Sequence, residues 1–550
     1  MKKNTGERKK AGLKTYIAKH WKLITIFVAA FALLAFVSFI NVATSRTIVT
    51  FNITDYEVGQ ISDRTITASK AIPEDEEFAF TIYKGETIIK KGFPISESGM
   101  QKLEKMATAP MYIDWRAFAN SLLFFLLLAT FSFFLYSKNV RGQETKIKEQ
   151  IFLSIMFIIV YAITAFMAKI PLFSTAFMLP VIIPAAFVVI LITVLFGQTS
   201  AISFSILLSL GVLYAAPVSV VPAVFVLSSS IAAVRIMRNI RHRMDMVSVS
   251  VVIGVLDAAF LFMLRIIFND FENHDLLSLF GVAINGFLSG IIALGFLTPL
   301  ETLLNTPSVF RLMDLSDLNN PIMRKMLLAA PGTYNHSLLV AQLAEAACDA
   351  IGANSLLARV GAYYHDIGKM DQPEYFAENQ QGQNKHDDIN PKMSVLVVRS
   401  HVKKGVEKAH MMHLPQEVID IIDQHHGNSL IQFFYHAAKK QGVEVTPEEY
   451  SYMGNPPTSR EAGIVMLADT VEAACRSLEN PSVQRLEKFI SKLVMKKYED
   501  RQLDKSGLTF ADIDEIQKSF VTILSGYYHS RVKYPNQTDP DEEVPTVHEK

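Results

Sequence analysis

Cysteine is almost missing from this 550-residue chain: Cys348 and Cys475 are the only two. That excludes a disulfide scaffold and a thiolate zinc cluster. Tryptophan is equally scarce, with Trp21 and Trp115 alone. A charge excess is missing as well, because 53 Lys and Arg balance 53 Asp and Glu. No global basic field therefore argues for a nucleic-acid polymer as partner.

What is abundant is apolar. Half of the residues are hydrophobic, Phe occurs 37 times, and the mean hydropathy is +0.24. The chain is too long for one core, so at least two units are expected. The apolar excess falls before residue 305, in runs long enough for membrane helices. The first, Leu23 to Val42, follows a lysine-rich start. It exceeds a usual signal core and no small-x-small site follows, so it reads as a retained anchor with its N-terminus inside. Further runs occupy about 117–136, 149–168, 177–196, 199–215, 217–234, 247–267 and 280–304. The stretch 199–234 is too long for one span, and Ala215, Ala216 and Pro217 suit a turn within it. Eight spans are therefore expected.

Charge sets the expected topology. SKNVRGQETKIK after the second span and RIMRNIRHRM after the sixth are basic, and should be cytoplasmic. NDFENHD after the seventh is acidic, as an outer loop can be. An even count returns the chain to the cytoplasm after residue 305, where the two thiols would stay reduced. Trp21 and Trp115 flank spans as interfacial anchors do. Asp257 and Arg265 lie inside the seventh span, where ionisable groups are costly and often functional. An internal polar contact, or snorkelling by Arg265, is the expected reading. A transporter is disfavoured by so few intramembrane charges and no clear repeat.

From about residue 322 the pattern turns amphipathic and helical. SLLVAQLAEAACDAI and PQEVIDIIDQH repeat apolar residues at three- and four-residue spacing, which predicts an all-α domain. Ten of the 14 histidines lie between His336 and His529. In order, TYNHS carries His336, YYHDIGK carries His365 and Asp366, and RSHVKKG carries His401. DQHHGN then carries His425 and His426, and MLADTVEAA carries Asp469. Imidazoles and carboxylates suit Fe, Mn or Zn. Seven such side chains suit two octahedral ions that share a carboxylate and keep water positions open. Taken singly, each has a plain explanation: a surface His-Asp pair, an exposed His-His turn, an ordinary helix histidine. Asp469 is the exception, because an unpaired carboxylate in an apolar helix is expensive. Together, in this order on separate predicted helices, they point to a metal centre.

This order resembles the HD phosphohydrolase superfamily. More closely, APGTYNHS, YYHDIGKMDQPEYFAENQ, LPQEVIDIIDQHHGNSLIQFFY and SREAGIVMLADTVEAACRSL are similar to the seven-transmembrane HD receptor family. Its characterised members are PgpH-type cyclic di-AMP phosphodiesterases. The resemblance covers most of 117–530. It implies a cell-membrane, multi-pass protein with a cytoplasmic HD domain, cyclic di-AMP as substrate, and two divalent metal ions, Mn or Fe. It assigns His336, His365, Asp366 and Asp469 to one metal and His401, His425 and His426 to the other. Asp366 would be shared, and Lys369 would sit near the substrate phosphate. A solvated Lys369 is the plain alternative.

Two departures stand out. The external segment is only about 70 residues, its ends VGQISDRTITASKAI and YKGETIIKKGFPISE lacking the large middle usual in the family. The GYP signature of cyclic di-GMP phosphodiesterases is absent, since HHG continues as NSLIQ. Residue spacing does not dictate adenine over guanine. Another nucleotide, cyclic di-GMP, or a non-catalytic dinucleotide-binding receptor stay open, as do the native metal and a homo-oligomer. Neutral histidines are required for metal binding, so activity should fall as pH drops through their titration.

The expected organisation is a cytoplasmic N-terminus and anchor (1–43), a short α+β external segment (44–116), and a transmembrane helical domain (117–304). A linker (305–325), an all-α HD domain (326–530) and an acidic disordered tail (531–550) follow.

Overall fold

A computed structural model describes residues 3–43, 53–68, 71–75, 77–108, 115–137, 145–216, 219–240, 242–270, 275–380, 382, 384–441, 445–478 and 481–528. The turn expected at Pro217, most of the two loops at 138–144 and 271–274, and the tail 531–550 lie outside the described residues. The chain divides into two compact units, at Leu304 and Asn305.

The first unit begins with helix α1 (Lys3–Ala43). A small α+β piece follows. Strand β1 (Ile66–Thr67) pairs antiparallel with β2 (Thr87–Ile89), and helix α2 (Glu97–Thr108) packs on them. Ile66, Ile82, Ile89, Leu103 and Met106 form its core. Lys105 is buried there because its ammonium donates to the carbonyls of Phe78 and Phe80. The apolar helices are α3 (Trp115–Leu135), α4 (Ile147–Met167), α5 (Ala185–Phe196), α6 (Gln198–Ala215), α7 (Val221–Ile236), α8 (Asp245–Phe268) and α9 (Asp275–Leu304).

Among the described residues, six helices are long and apolar enough to cross a membrane, and α5 and α7 are shorter. This is the architecture of a multi-pass membrane protein. The run expected as a span at 177–196 is helical only from Ala185. Pro180 sits in a 3-10 turn and Pro184 at the helix start. Proline lacks the amide hydrogen an α-helix interior needs, which ends helical geometry there. Within this break the carbonyls of Val181 and Ile183 accept from the Asn285 side-chain amide, at 2.7 and 3.2 Å. Gly197, at φ +85°, turns α5 into α6. Helices α8 and α9 approach closely through small residues: a Cβ on Gly254 would lie 2.5 Å from the carbonyl oxygen of Ala283. Asp257 and Arg265 are both buried; Arg265 donates to Ser278 and to the Asp270 carbonyl and lies over Phe177.

The second unit is all-α. Its helices are α10 (Val309–Leu315), α11 (Pro321–Ala329), α12 (Pro331–Ile351), α13 (Ser355–Tyr364), α14 (Pro391–Met411), α15 (Gln416–Gln424), α16 (Gln432–Lys440), α17 (Arg460–Cys475), α18 (Val483–Glu499) and α19 (Phe510–Tyr528). Residues 305–325, expected as a linker, contain α10, whose Leu312 joins the unit's core with Val340, Val360, Ile421, Leu467 and Phe520. Helix starts follow sequence punctuation. Asn320 and Asn390 cap α11 and α14, each with proline at the first helical position, and Ser459 caps α17. Cys348 and Cys475 are unpaired thiols in the core.

Candidate metal centre

Five segments far apart in sequence meet in the second unit. His336 lies in the second turn of α12. His365 caps the C-terminus of α13, and Asp366 begins the 3-10 turn Ile367–Asp371. His401 is in the middle of α14, His425 and His426 end α15, and Asp469 lies in α17 among buried apolar neighbours. Gly368 lets the 3-10 turn rest on α14: a Cβ there would lie 1.9 Å from the His401 carbonyl oxygen and 2.7 Å from the Gly405 nitrogen. That contact holds Asp366 against His401.

The seven side chains expected as ligands converge. Nε2 of His336 is 3.1 Å from Asp469 Oδ1 and 3.6 Å from Asp366 Oδ2. Nε2 of His365 is 3.1 Å from Asp366 Oδ2. On the other side, Asp366 Oδ1 is 3.4 Å from His401 Nε2 and 3.7 Å from His425 Nε2. Asp469 Oδ2 is 3.5 Å from His426 Nδ1. Each carboxylate thus presents one oxygen to each histidine set. Two groups, His336–His365–Asp366 and His401–His425–His426, have ligand atoms close enough to hold one ion each.

The protonation pattern fits cations. Nδ1 of His365, His401 and His425 donates to the carbonyl three residues earlier, at 2.7, 2.5 and 2.7 Å. With that proton committed, each Nε2 presents a lone pair inward. Nε2 of His401 and Nε2 of His425 then face each other at 3.3 Å, an arrangement that repels unless a positive charge lies between them. Nε2 of His365 and Oδ1 of Asp366 are buried without a hydrogen-bond partner. Unmet acceptors of this kind are costly unless an ion takes them. The residues present therefore fit divalent cations.

Burial pushes the His401 imidazole down to about 4, and burial with neighbouring His365 pushes His425 down to about 3. Both are neutral at pH 7, the form that metal binding requires. Burial also disfavours charge on His336, but hydrogen bonds with Asp469 and Glu472 outweigh it and raise that ring to about 10. Burial opposes ionisation of the two carboxylates. For Asp366 the neighbouring His365 and Lys369 outweigh it; for Asp469 the hydrogen bond from His336 and the field of His426 do, so both stay well below the usual carboxylate range.

Lys369 is 9% exposed, so it is no solvated helix residue. Its ammonium is 2.7 Å from Asp366 Oδ2 and 2.9 Å from Glu378 Oε1, and lies over the Phe376 ring. Burial works against its charge, but Asp366 and Glu378 raise its pKa above the usual lysine range. Beside the histidines runs an open groove of about 540 Å³ lined by Arg399, Lys403, Asp423, His426 and Tyr452. Tyr452 stacks on His426 at 4.2 Å.

Three contributors were not read from sequence. Glu472 accepts from His336 Nδ1 at 2.6 Å. Its signal was present, a second carboxylate one turn after Asp469 in the same apolar helix. Glu378 anchors Lys369 and is held by the Thr333 hydroxyl at 3.0 Å. Tyr452 stacks on the centre from an irregular segment. Nothing local to either residue signals these contacts.

Residues 115–308 match the family described as 7TM receptor with intracellular HD hydrolase, and residues 333–474 match the HD domain. The cyclic-di-AMP phosphodiesterase PgpH of Bacillus subtilis (strain 168) is 46% identical over 263 residues, 48% of this chain and 37% of that protein. PgpH of Listeria monocytogenes serotype 1/2a (strain 10403S) is 31% identical over 473 residues, 83% of this chain and 64% of that one. The chain thus spans under two thirds of the length of either relative. The crystal structure of the L. monocytogenes PgpH HD domain, 43% identical, is covered in full by 38% of this chain with a TM-score of 0.37. The same domain in complex with cyclic-di-AMP is 42% identical, covered in full by 39% of this chain, with a TM-score of 0.38. The chain thus carries two family matches in succession, a region similar to the 7TM receptors with intracellular HD hydrolase followed by an HD domain.

Proposed function

We propose that the chain is a membrane-bound, metal-dependent phosphodiesterase that hydrolyses cyclic di-AMP to linear pApA, with its HD domain on the cytoplasmic side. The observation that carries this reading is the buried meeting of five imidazoles and two carboxylates, with His365 Nε2 and Asp366 Oδ1 turned inward without a hydrogen-bond partner. His336, His365, Asp366 and Asp469 would hold one divalent ion, Mn or Fe, and His401, His425 and His426 the other, with Asp366 shared. When bound, such a pair supplies hydroxide from water at neutral pH and offsets charge on the phosphoryl oxygens.

The chain's own groups do the rest. The Nδ1 hydrogen bonds to backbone carbonyls lock the rings of His365, His401 and His425 so that none can turn its lone pair away. Asp366 fixes the spacing of the two sets by reaching each with a different oxygen. Lys369 keeps its ammonium charged beside Asp366, where it would orient the scissile phosphate and stabilise charge developing on it. Arg399 and Lys403 line the groove leading to the centre and favour an anionic substrate. The choice of adenine rests on what the PgpH relatives are named for.

The test uses the full-length chain in detergent with Mn or Fe, offered cyclic di-AMP, cyclic di-GMP and mononucleotides, with products separated by chromatography. Cyclic di-AMP should give pApA, and Asp366→Ala should lower turnover by several orders of magnitude. Turnover that survives this substitution sinks the site. Preference for another nucleotide would correct the substrate, and tight binding with no turnover in any metal would make the domain a receptor.

A further inference from the structure

We propose that Glu472 is a positioning residue which, through His336, makes the His336–His365–Asp366 set the tighter of two cation sites. This rests on the metal-centre reading above. His365, His401 and His425 lean on backbone carbonyls, whereas His336 gives its Nδ1 proton to a carboxylate, Glu472 Oε2, at 2.6 Å. A carboxylate is the stronger acceptor, and it increases the donor power of the far nitrogen.

One helix makes this arrangement. Asp469 and Glu472 are three residues apart on α17, so they share a face. Asp469 lies 3.1 Å from His336 Nε2, while Glu472 holds Nδ1. Arg476, one turn further, donates to Glu472 Oε1 at 2.6 Å and fixes that carboxylate in place.

Arg476 also creates a conflict. Its Nη2 is 3.4 Å from His336 Nδ1. A guanidinium can only donate. By itself it favours a bare Nδ1, which moves the ring proton to Nε2, where a cation would bind. Glu472 favours the opposite tautomer, and its contact is much the shorter. The two neighbours therefore pull the ring in opposite directions, and Glu472 is what holds a proton on Nδ1, so that Nε2 is the nitrogen left for a cation to take. Charge adds to the asymmetry. Asp366, Asp469 and Glu472 all crowd His336, whereas the other set is three imidazoles facing one oxygen each of Asp366 and Asp469.

The experiment titrates the purified full-length chain with Mn²⁺ alone and follows the free ion by electron paramagnetic resonance. The unsubstituted chain should bind two ions in two steps. Glu472→Ala should weaken the tighter step by about 10–100-fold and leave the weaker step in place. Glu472→Gln keeps the shape and an accepting oxygen, so it should fall between; it also serves if Glu472→Ala does not fold. Arg476→Ala should cost less than Glu472→Ala. The double substitution Glu472→Ala/Arg476→Ala should recover part of the loss, because the opposing donor is gone. A packing role alone would instead make the two losses add. The proposal is overturned if Glu472→Ala and Glu472→Gln leave the tighter step unchanged, if both steps weaken equally, or if the losses are additive. A wild-type chain that binds no Mn²⁺ would remove the metal-centre reading itself, a different failure.

Discussion

At the scale of single residues, burial keeps the His401 and His425 imidazoles neutral, and that has a cost in acid. His401 and His425 have folded pKa values of about 4 and 3, below the ordinary 6.5. Between pH 6.5 and about 4 the unfolded chain therefore binds protons that the folded chain refuses. Stability from these residues is whole above pH 6.5 and is lost as pH falls through that window. At ~1.4 kcal/mol per unit, moving from pH 7 to pH 5 should remove about 2 kcal/mol for each of the two. His336 runs the other way: raised to about 10, it stabilises below 6.5 and loses that contribution as pH climbs toward 10. The chain offers its own probe, since Cys348 and Cys475 are its only thiols and both are fully buried in the second unit. With metal stripped by a chelator, thiol labelling in urea should begin at clearly lower denaturant at pH 5 than at pH 7. Equal midpoints would contradict neutral burial of these rings.

At the scale of elements, the decisive contact is a 3-10 turn lying flat on a helix. Gly368 faces backbone atoms of α14, which cannot swing aside, whereas a Cβ on Gly405 would meet the Ile422 side chain at 3.0 Å, which can yield. Gly368→Ala should therefore push α14 off the turn, part His401 from Asp366 and abolish binding of one Mn²⁺. It should also cost about 1–3 kcal/mol or more, as overpacking does. Gly405→Ala should be far milder. Comparing thermal midpoints and Mn²⁺ stoichiometry of the two variants decides it, and similar behaviour would refute the argument. Nothing in HDIGK announces that packing, because the clash is with residues more than thirty positions away. The candidate ligands themselves were legible, since His336, the His365–Asp366 pair, His401, the His425–His426 pair and Asp469 occur in an ordered series that chemistry can interpret, and the fold brings them together. Glu472 was half-legible, being a second costly carboxylate in one apolar helix. Glu378 and Tyr452 act only through tertiary contacts. In the membrane region, apolar runs showed where helices lie, but Pro180 and Pro184 had to be given more weight than hydropathy to see that 177–184 is not α-helical.

At the scale of the molecule, two units with separate cores should respond separately to metal. The candidate ligands all belong to residues 305–528, and among the described residues none of the first unit's apolar helices contributes one. Binding to the folded state alone stabilises it by RT ln(1 + [L]/Kd), about 2.7 kcal/mol at a hundredfold excess over Kd. Because both thiols report on the second unit, Mn²⁺ at that excess should slow their labelling by roughly 100-fold where labelling follows the equilibrium opening of that core. Unfolding of the membrane helices, followed by the fluorescence of Trp21 and Trp115, the only tryptophans and both at the ends of apolar helices, should not move with Mn²⁺. Asp366→Ala should remove the protection of the thiols while leaving the tryptophan transition where it was. If Mn²⁺ shifts both probes together, the two units unfold as one, and a change at the metal centre would be transmitted in full to the membrane helices; if it shifts only the thiols, any signal between them has to be carried by something weaker than shared folding.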